Sequence, residues 1–506
     1  MQTDCQPQLT LWNIGRQQVT VDFEGGRIVS DAGLLALRDF EQRLGVMAGL
    51  AVRFPDPRSP LFITHSVEEI LTQHVYQFLG GYFDCNDAQT LRHDPLFLTV
   101  AGISPSHRMP GDDPEPQALS SGSTLARFQY AYTRREAQLP VEERQVLLEQ
   151  RTAQLGRIQL INEYLVDLFV RTRQQQPQFV IIDIDPTDDP THGQQVLSFY
   201  HGYYEQHQYF PLLLFDGATG FPLGAWLRPG VVHASCGVVD SLDLVVQKLR
   251  AAWPDLTIVV RGDTGLAVPE LYEYCERERL FYAIGYATNE VLKRRVAGAV
   301  WDLEVLYALY REPMQRFQVF EDYQAGSWSR PRRIVAKIEI NDKGMNRRFV
   351  VTNLSGDPQG IYHGFYVQRG HVPEGPIGEL KHGLALDRLS SHRFIANDLR
   401  LGLHVLAYAI VVLFREATAG VPEVAHAEVS TLRSKLFKVG ATVETSMRRI
   451  WFHFSSSWPH RDLFARVLRA LRDFVRRLES RALQVLTPRD RCDTPPGARL
   501  IAVPSG

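Results

Sequence analysis

Three acids stand at positions from which side chains can share a divalent cation. Asp183 and Asp185 end the apolar run Phe179-Val180-Ile181-Ile182, and Asp263 follows the run Thr257–Val260 in Val-Val-Arg-Gly-Asp. Short apolar, β-branched runs predict buried strands. Carboxylates at the C-terminal ends of such strands converge in the crevice where open α/β sheets carry out chemistry. A predicted helix carrying Glu374 comes later in the chain. Gathered in one place, three acids repel unless a cation neutralises them. Hard oxygen ligands in that number suit Mg²⁺ or Mn²⁺. Two such ions, about 4 Å apart, activate an attacking oxygen and stabilise a leaving one during in-line displacement at phosphorus. Water as the nucleophile gives hydrolysis; a 3′-hydroxyl gives strand transfer. Taken singly, each acid is more often a helix cap or a surface residue.

The elements that must carry these acids are legible from periodicity. Ser66-Val67-Glu68-Glu69 is a capping box. Val67, Ile70, Leu71, His74, Val75 and Phe78 then repeat at helical spacing up to Gly80-Gly81. Further helices are predicted over Asp87–Leu91, Ser123–Arg135 and Val141–Arg173, with a Pro/Gly/Asp-rich loop at Ser104–Gln117. From Gln178 the pattern changes. Strands are predicted at Phe179–Ile182, Tyr209–Phe215, Gly220–Leu227, Leu256–Val260 and Leu280–Tyr286, interleaved with helices Val238–Ala252 and Val268–Arg277. That order predicts a mixed α/β sheet. Met314–Val350 reads as antiparallel strands with a turn at Asn341–Gly344, a β insertion within the α/β region. A helical region runs from Glu374 to Ala417; its apolar stretch Leu403–Phe414 contains His404 and is too short to span a bilayer.

Composition excludes several classes. The chain has 506 residues, which suggests two to four domains at roughly 100–200 residues each. The net charge is −2, so the chain as a whole does not advertise nucleic-acid binding. Its distribution is uneven: Thr431–Arg481 holds 12 Lys/Arg against 4 Asp/Glu, a net +8, leaving −10 for the rest. The five cysteines form no CxxC pair, which argues against a zinc site and fits reduced cytosolic thiols. No signal peptide is visible, and a cytoplasmic, nucleoid-associated location without a membrane is expected.

Several segments resemble a known family. Ile182–Gln195 (IDIDPTDDPTHGQQ), Phe199–Tyr204 (FYHGYY), Tyr209–Phe215 (YFPLLLF) and Val259–Gly265 (VVRGDTG) are similar to the catalytic domain of bacterial insertion-sequence transposases, in particular the family numbered thirteen-eighty. Leu119–Gln129 and His65–Pro95 resemble its N-terminal part, and the segments RFIANDLRLGLHVLAYAI and TLRSKLFKVGA its C-terminal part. The family's first aspartate stands in Asp-x-Thr, which selects Asp185 over Asp183. Its second stands in Arg-Gly-Asp-Ser/Thr-Gly, matched by Arg261–Gly265. Its third motif, Tyr-x₂-Arg-x₃-Glu-x₆-Lys, is matched by Tyr366, Arg369, Glu374 and Lys381, with four residues rather than three between Arg369 and Glu374. Glu379 is the alternative but lacks the gap to Lys381.

The resemblance implies a DNA transposase with a ribonuclease H-like fold and two Mg²⁺ (or Mn²⁺) ions held by Asp185, Asp263 and Glu374. The ends of an insertion sequence are cut, and their 3′-hydroxyls are joined to target DNA. A catalytically inactive, transposase-derived DNA-binding protein is the alternative. DNA, as terminal inverted repeats and target, is the implied partner, bound by a homodimer. Tyr366, Arg369 and Lys381 are expected on DNA, the cations on phosphate; Glu374 and Lys381, seven apart, are expected on one helix face. Trp328, in the turn of the β insertion, is a candidate to stack on an unpaired base, a lone Trp being more often a packing residue, and His192 and Gln195 are expected to orient water or substrate or simply to bond within their loop. The expected organisation is a helical N-terminal DNA-binding region (1–172), a catalytic domain in two parts (173–300 and 348–420) around the β insertion (301–347), and a basic helical C-terminal region (421–506).

Overall fold

The computed structural model describes residues 9–22, 24–56, 58–105, 117–130, 138–144, 146–147, 156–371 and 374–486. The chain opens with a hairpin, β1 (Leu9–Ile14) and β2 (Gln17–Val21), turned at Gly15 with φ 62°. Its strands are short and mostly exposed, and helical periodicity gives no warning of them. A two-residue strand β3 (Ile28–Val29) follows, then helices α1 (Leu34–Leu44) and α2 (Val67–Gly80). The capping box forms as predicted: Ser66 Oγ accepts from Glu69 N–H at 3.1 Å, and Glu69 Oε2 accepts from Ser66 N–H at 2.9 Å. Gly81, at φ 94°, ends the helix. The loop predicted at Ser104–Gln117 lies largely outside the described residues, as does the end of the helix predicted over Ser123–Arg135. The single long helix predicted over Val141–Arg173 is not seen as such: α3 covers Arg157–Thr172 and starts at Gly156, whose φ of 47° a helix interior does not allow.

The central sheet comprises β4 (Phe179–Pro186), β8 (Leu212–Asp216), β9 (Pro222–Trp226), β10 (Thr257–Gly262), β11 (Phe281–Tyr286), β12 (Met314–Tyr323), β13 (Arg332–Asn341) and β14 (Gly344–Thr352). Its order is β12-β13-β14-β11-β10-β4-β8-β9, with β4, β10 and β11 parallel and the outer strands antiparallel. A smaller sheet, β5 (Asp189–Pro190), β6 (Phe199–His201) and β7 (Gln206–Tyr209), grows from the loop after β4. The run predicted as one strand, Tyr209–Phe215, is therefore two, broken at Phe210-Pro211. Helices α4 (Val238–Ala252) and α5 (Pro269–Arg277) connect β9 to β10 and β10 to β11.

The expected β insertion takes another form. Residues 301–310 belong to helix α6 (Ala297–Tyr310), and β14 runs through the predicted boundary at 347. The strands are an extension of the main sheet, because β14 pairs directly with β11 (Ala283↔Thr352 to Tyr286↔Phe349). The turn at Asn341–Gly344 forms where predicted, with Gly344 at φ 104°.

Helix α7 (Phe394–Ala417) lies in the core between the sheet side and the N-terminal helices. It is long and apolar enough to cross a membrane, but 94% of its most apolar window is buried within the protein. His404 within it stacks on Phe78 at 3.8 Å. Beyond α7 the expected all-helical region contains a hairpin, β15 (Ala441–Thr445) and β16 (Ile450–Phe454), before helix α8 (Arg461–Leu486). β15 pairs with β3 (Ala441↔Val29), and Gly33 N–H bonds to the Phe437 carbonyl at 3.2 Å. A Cβ at Gly33 would stand 1.7 Å from the Leu436 carbonyl oxygen, so only glycine fits there. α8 buries Leu463, Val467, Leu471 and Phe474, spaced four, four and three apart, and the last meets Phe40 of α1 at 6.0 Å. Its outer face carries exposed Arg461, Arg466, Arg469, Arg472, Arg476 and Arg477.

Candidate active site

β4 and β10 run side by side, with Val260 against Ile182, Arg261 against Asp183 and Gly262 against Ile184. Asp263 and Asp185 are the next residues along the two strands after the last paired position, Gly262 against Ile184. Neighbouring strands are about 4.8 Å apart, and residues level across a parallel pair share a face. Asp263 keeps extended backbone (φ −77°, ψ −175°), and both acids are half-buried. Asp263 also caps the turn after β10, its Oδ1 accepting from Gly265 N–H at 3.0 Å.

Two residues earlier on each strand, on the same face, lies a fully buried ion pair. Arg261 Nε and Nη2 donate to the two oxygens of Asp183 at 2.5 and 2.6 Å. A Cβ at Gly217 would stand 2.6 Å from Arg261 Nη2, so the backbone opposite must be bare. Burial pushes the Asp183 carboxyl up, against the pull of Arg261. Both Asp183 oxygens are committed to Arg261, so Asp183 anchors the pair. Arg261 reaches one element further: its Nη1 donates to the Phe365 carbonyl at 2.9 Å, and its guanidinium lies 5.0 Å from the Phe365 ring centre. One side chain thus ties β4, β10 and the segment leading into Tyr366.

Tyr366 sits over β11. A Cβ at Gly285 would meet its hydroxyl at 2.5 Å and Thr264 Oγ1 at 2.9 Å, which places the phenol beside the residue after Asp263. Burial raises the Tyr366 phenol; Arg369 opposes this and Asp263 adds to it, so the group stays a neutral hydrogen-bond donor. The Arg369 guanidinium lies 5.8 Å from the Tyr366 ring centre. Glu374 opens a short helix, Glu374–Gly378, and its side chain lies outside the described residues. The alternative acid, Glu379, points elsewhere: its Oε2 accepts from Arg415 at 2.5 Å and from Val429 N–H at 3.3 Å. Residues Glu379–Gly383 form a wider π-type turn, so the single α-helical face expected for Glu374 and Lys381 does not form.

Among the described residues, no group of three His, Cys, Asp or Glu side chains is placed to hold a metal ion. Carboxylates such as those of Asp185 and Asp263, which follow adjacent strands, are hard oxygen donors of the kind that suits Mg²⁺ or Mn²⁺. A family model described as "Transposase DDE domain group 1" matches residues 12–476. The chain belongs to that transposase family. No curated protein matches the chain. A solved structure, "Cryo-EM structure of piggyBac transposase synaptic complex with hairpin DNA (SNHP)", matches with 12% identity over 92% of this chain and 84% of that one, at a TM-score of 0.38.

In this DDE transposase the remaining expected residues divide. Lys381 Nζ binds Asp188 Oδ1 at 2.7 Å, which ties the third motif to the loop after Asp185. His192 is exposed, and Gln195 bonds within the protein, to the His192 carbonyl at 3.4 Å and Asn397 at 3.2 Å. The expectation for Trp328 is overturned. It is only 5% exposed, boxed by Tyr272, Tyr286 and Tyr323 with ring centres 5.3–5.5 Å away and by the Arg332 guanidinium at 5.3 Å. A base cannot reach it without dismantling that box.

Sequence reasoning missed three participants: Arg261 as clamp, Asp188 as the partner of Lys381, and Asp189. The spacing held a clue to the first, since Arg261 precedes Asp263 by two residues just as Asp183 precedes Asp185. The Asp189 carboxyl is fully buried with no hydrogen-bond partner among the described residues, and burial, then Asp387, hold it well above its ordinary value. Nothing in its local sequence announces this.

Proposed function

We propose that the chain is a cut-and-paste DNA transposase of the insertion-sequence family numbered thirteen-eighty, with a ribonuclease H-like catalytic domain. The observation that carries the reading is the parallel register of β4 and β10, which ends at Gly262 against Ile184 one residue before Asp263 and Asp185, beside the buried Asp183–Arg261 pair. Asp185, Asp263 and Glu374 would hold two Mg²⁺ or Mn²⁺ ions, which when bound supply charge stabilisation for the attacking and leaving oxygens of a phosphodiester. Arg261 fixes the strand ends so that little reorganisation is needed when the DNA arrives. Tyr366, as a neutral phenol, donates to a phosphate oxygen, and Arg369 beside it supplies positive charge. Lys381 exchanges Asp188 for a phosphate of the bound strand. Water opens the bond at the element end, leaving a 3′-hydroxyl; that hydroxyl then attacks the phosphodiester of the opposite strand or of target DNA. The arginine-rich face of α8 contacts the DNA backbone and makes binding salt-sensitive. Two element ends are cut together, which calls for a dimer on DNA.

The test uses purified protein, Mg²⁺ and DNA carrying the inverted repeats that flank the gene. Asp185→Asn, Asp263→Asn and Glu374→Gln are each expected to lower cleavage by roughly a hundredfold or more while DNA binding persists. Cleavage at parental rates in Asp185→Asn or Asp263→Asn overturns the reading, and in Glu374→Gln it moves the third ligand elsewhere. A parent that binds these ends but never cuts is instead a transposase-derived DNA-binding protein. One that cuts without joining strands is a nuclease.

A further inference from the structure

We propose that the aromatic hairpin β6–β7, Phe199–Tyr209, is a stacking site for an unpaired nucleobase of the DNA strand being cut. The inference rests on the transposase reading above. β7 pairs with β5, whose Asp189 lies four residues past Asp185, so the hairpin grows directly from the loop of the first motif. It is fastened there by Gln206 Nε2, which donates to Asp188 Oδ2 at 3.2 Å while Lys381 holds Oδ1. The turn closes at Glu205, φ 54°, whose N–H bonds to the His201 carbonyl at 2.8 Å.

This rigidly held turn presents rings to solvent. Phe199, Tyr200 and Tyr203 are 42, 56 and 84% exposed. Tyr203 meets Tyr204 edge-on at 5.0 Å, and Tyr204 in turn leans on His201 at 5.1 Å and Phe210 at 6.1 Å. The Tyr204 phenol is raised by burial and then by the charge of Asp188, with Tyr203, Asp185 and Asp263 adding to it. The most exposed ring of the hairpin, Tyr203, is thus one ring removed from Tyr204, in a hairpin fastened to Asp188, three residues past Asp185. Clustered exposed rings mark a binding surface. Every base has a π-face, so aromatic side chains hold bases without regard to sequence. Bases inside a duplex already stack on each other, so the ligand that fits is a base out of its pair, at or next to the bond being cut.

The experiment measures anisotropy of a labelled oligothymidylate strand and of a fully paired duplex of equal length, with full-length protein. Tyr200→Ala and Tyr203→Ala are expected to weaken single-strand binding by about tenfold each, with duplex binding unchanged and Tyr203→Phe retaining parental affinity. Equal affinity of parent and alanine variants for the single strand overturns the proposal. So does a matching loss for strand and duplex, or a parent that binds neither. These readouts involve no cutting, so they fail independently of the acid-variant cleavage test, which judges the transposase reading.

Discussion

Trp328 and Tyr203 are both large rings in loops between strands, yet one is 5% exposed and the other 84%. Around Trp328 three tyrosines and Arg332 close a box at the outer part of the main sheet, and Glu276 holds Arg332 through two charged hydrogen bonds of 2.8 and 2.9 Å. Around Tyr203 the rings lean on each other on one side only and leave the other side to solvent. The first cluster spends its ring faces on folding; the second keeps them for a ligand. A ring's value to DNA thus depends on what its neighbours have already covered, and residue type alone does not decide it.

That contrast can be broken most forcefully at Trp328. Trp328→Ala should lower unfolding free energy by about 3–5 kcal/mol, read by chemical denaturation, because a buried ring leaves a cavity. DNA affinity of the folded fraction should stay at the parental value; a loss of affinity without loss of stability would restore Trp328 to the DNA surface. A smaller effect tests the interior at His74, which packs against Phe78 at 6.2 Å and Phe128 at 6.5 Å. Burial, then Arg400, push its imidazole down to about 3. Below its ordinary value of 6.5 the unfolded chain takes a proton that the folded chain refuses. The stability is therefore complete above that pH and drains as pH falls towards about 3, by about 2 kcal/mol at pH 5. His404, also pushed well down by burial, adds a loss of the same sign. Melting temperatures across pH 7 to 5 should fall steeply for the parent and less so for His74→Gln; identical slopes would assign the effect elsewhere. The smallest effect belongs to the exposed cluster: Tyr203→Ala should change stability by no more than about 0.5 kcal/mol. A larger drop in its melting midpoint would mean that the hairpin rings are structural after all.

The parts of the site that follow a period were legible in the sequence. Phe179–Ile182 and Thr257–Val260 are apolar and β-branched because both faces of a central strand are covered, and the acids after them mark the ends. The choice between Asp183 and Asp185 is different: period two puts them on one face, so periodicity cannot choose; the Asp-x-Thr resemblance favours Asp185, and the pairing of Asp183 with Arg261 is seen only in three dimensions. Between stacking on a base and packing, Trp328 takes the packing role, which its local sequence does not reveal because its box is built from residues far apart in the chain, Tyr272, Tyr286 and Tyr323. The strands β12–β14 were legible as strands but not as the main sheet's extension, since pairing of β14 with β11 leaves no local mark. Gly156 gave a visible warning that the predicted long helix would start there, and helical periodicity on either side masked it.

The seam between β3 and β15 sets an order of events. The β3 pairing, the Ala32 and Gly33 N–H bonds and the close approach at Gly33 all come from residues 436–442, so this edge of the amino-terminal layer stays unsealed on the ribosome until that distant stretch has emerged. A gene copy broken before Ala441 would consequently leave a polypeptide frayed at its beginning as well as cut short at its end.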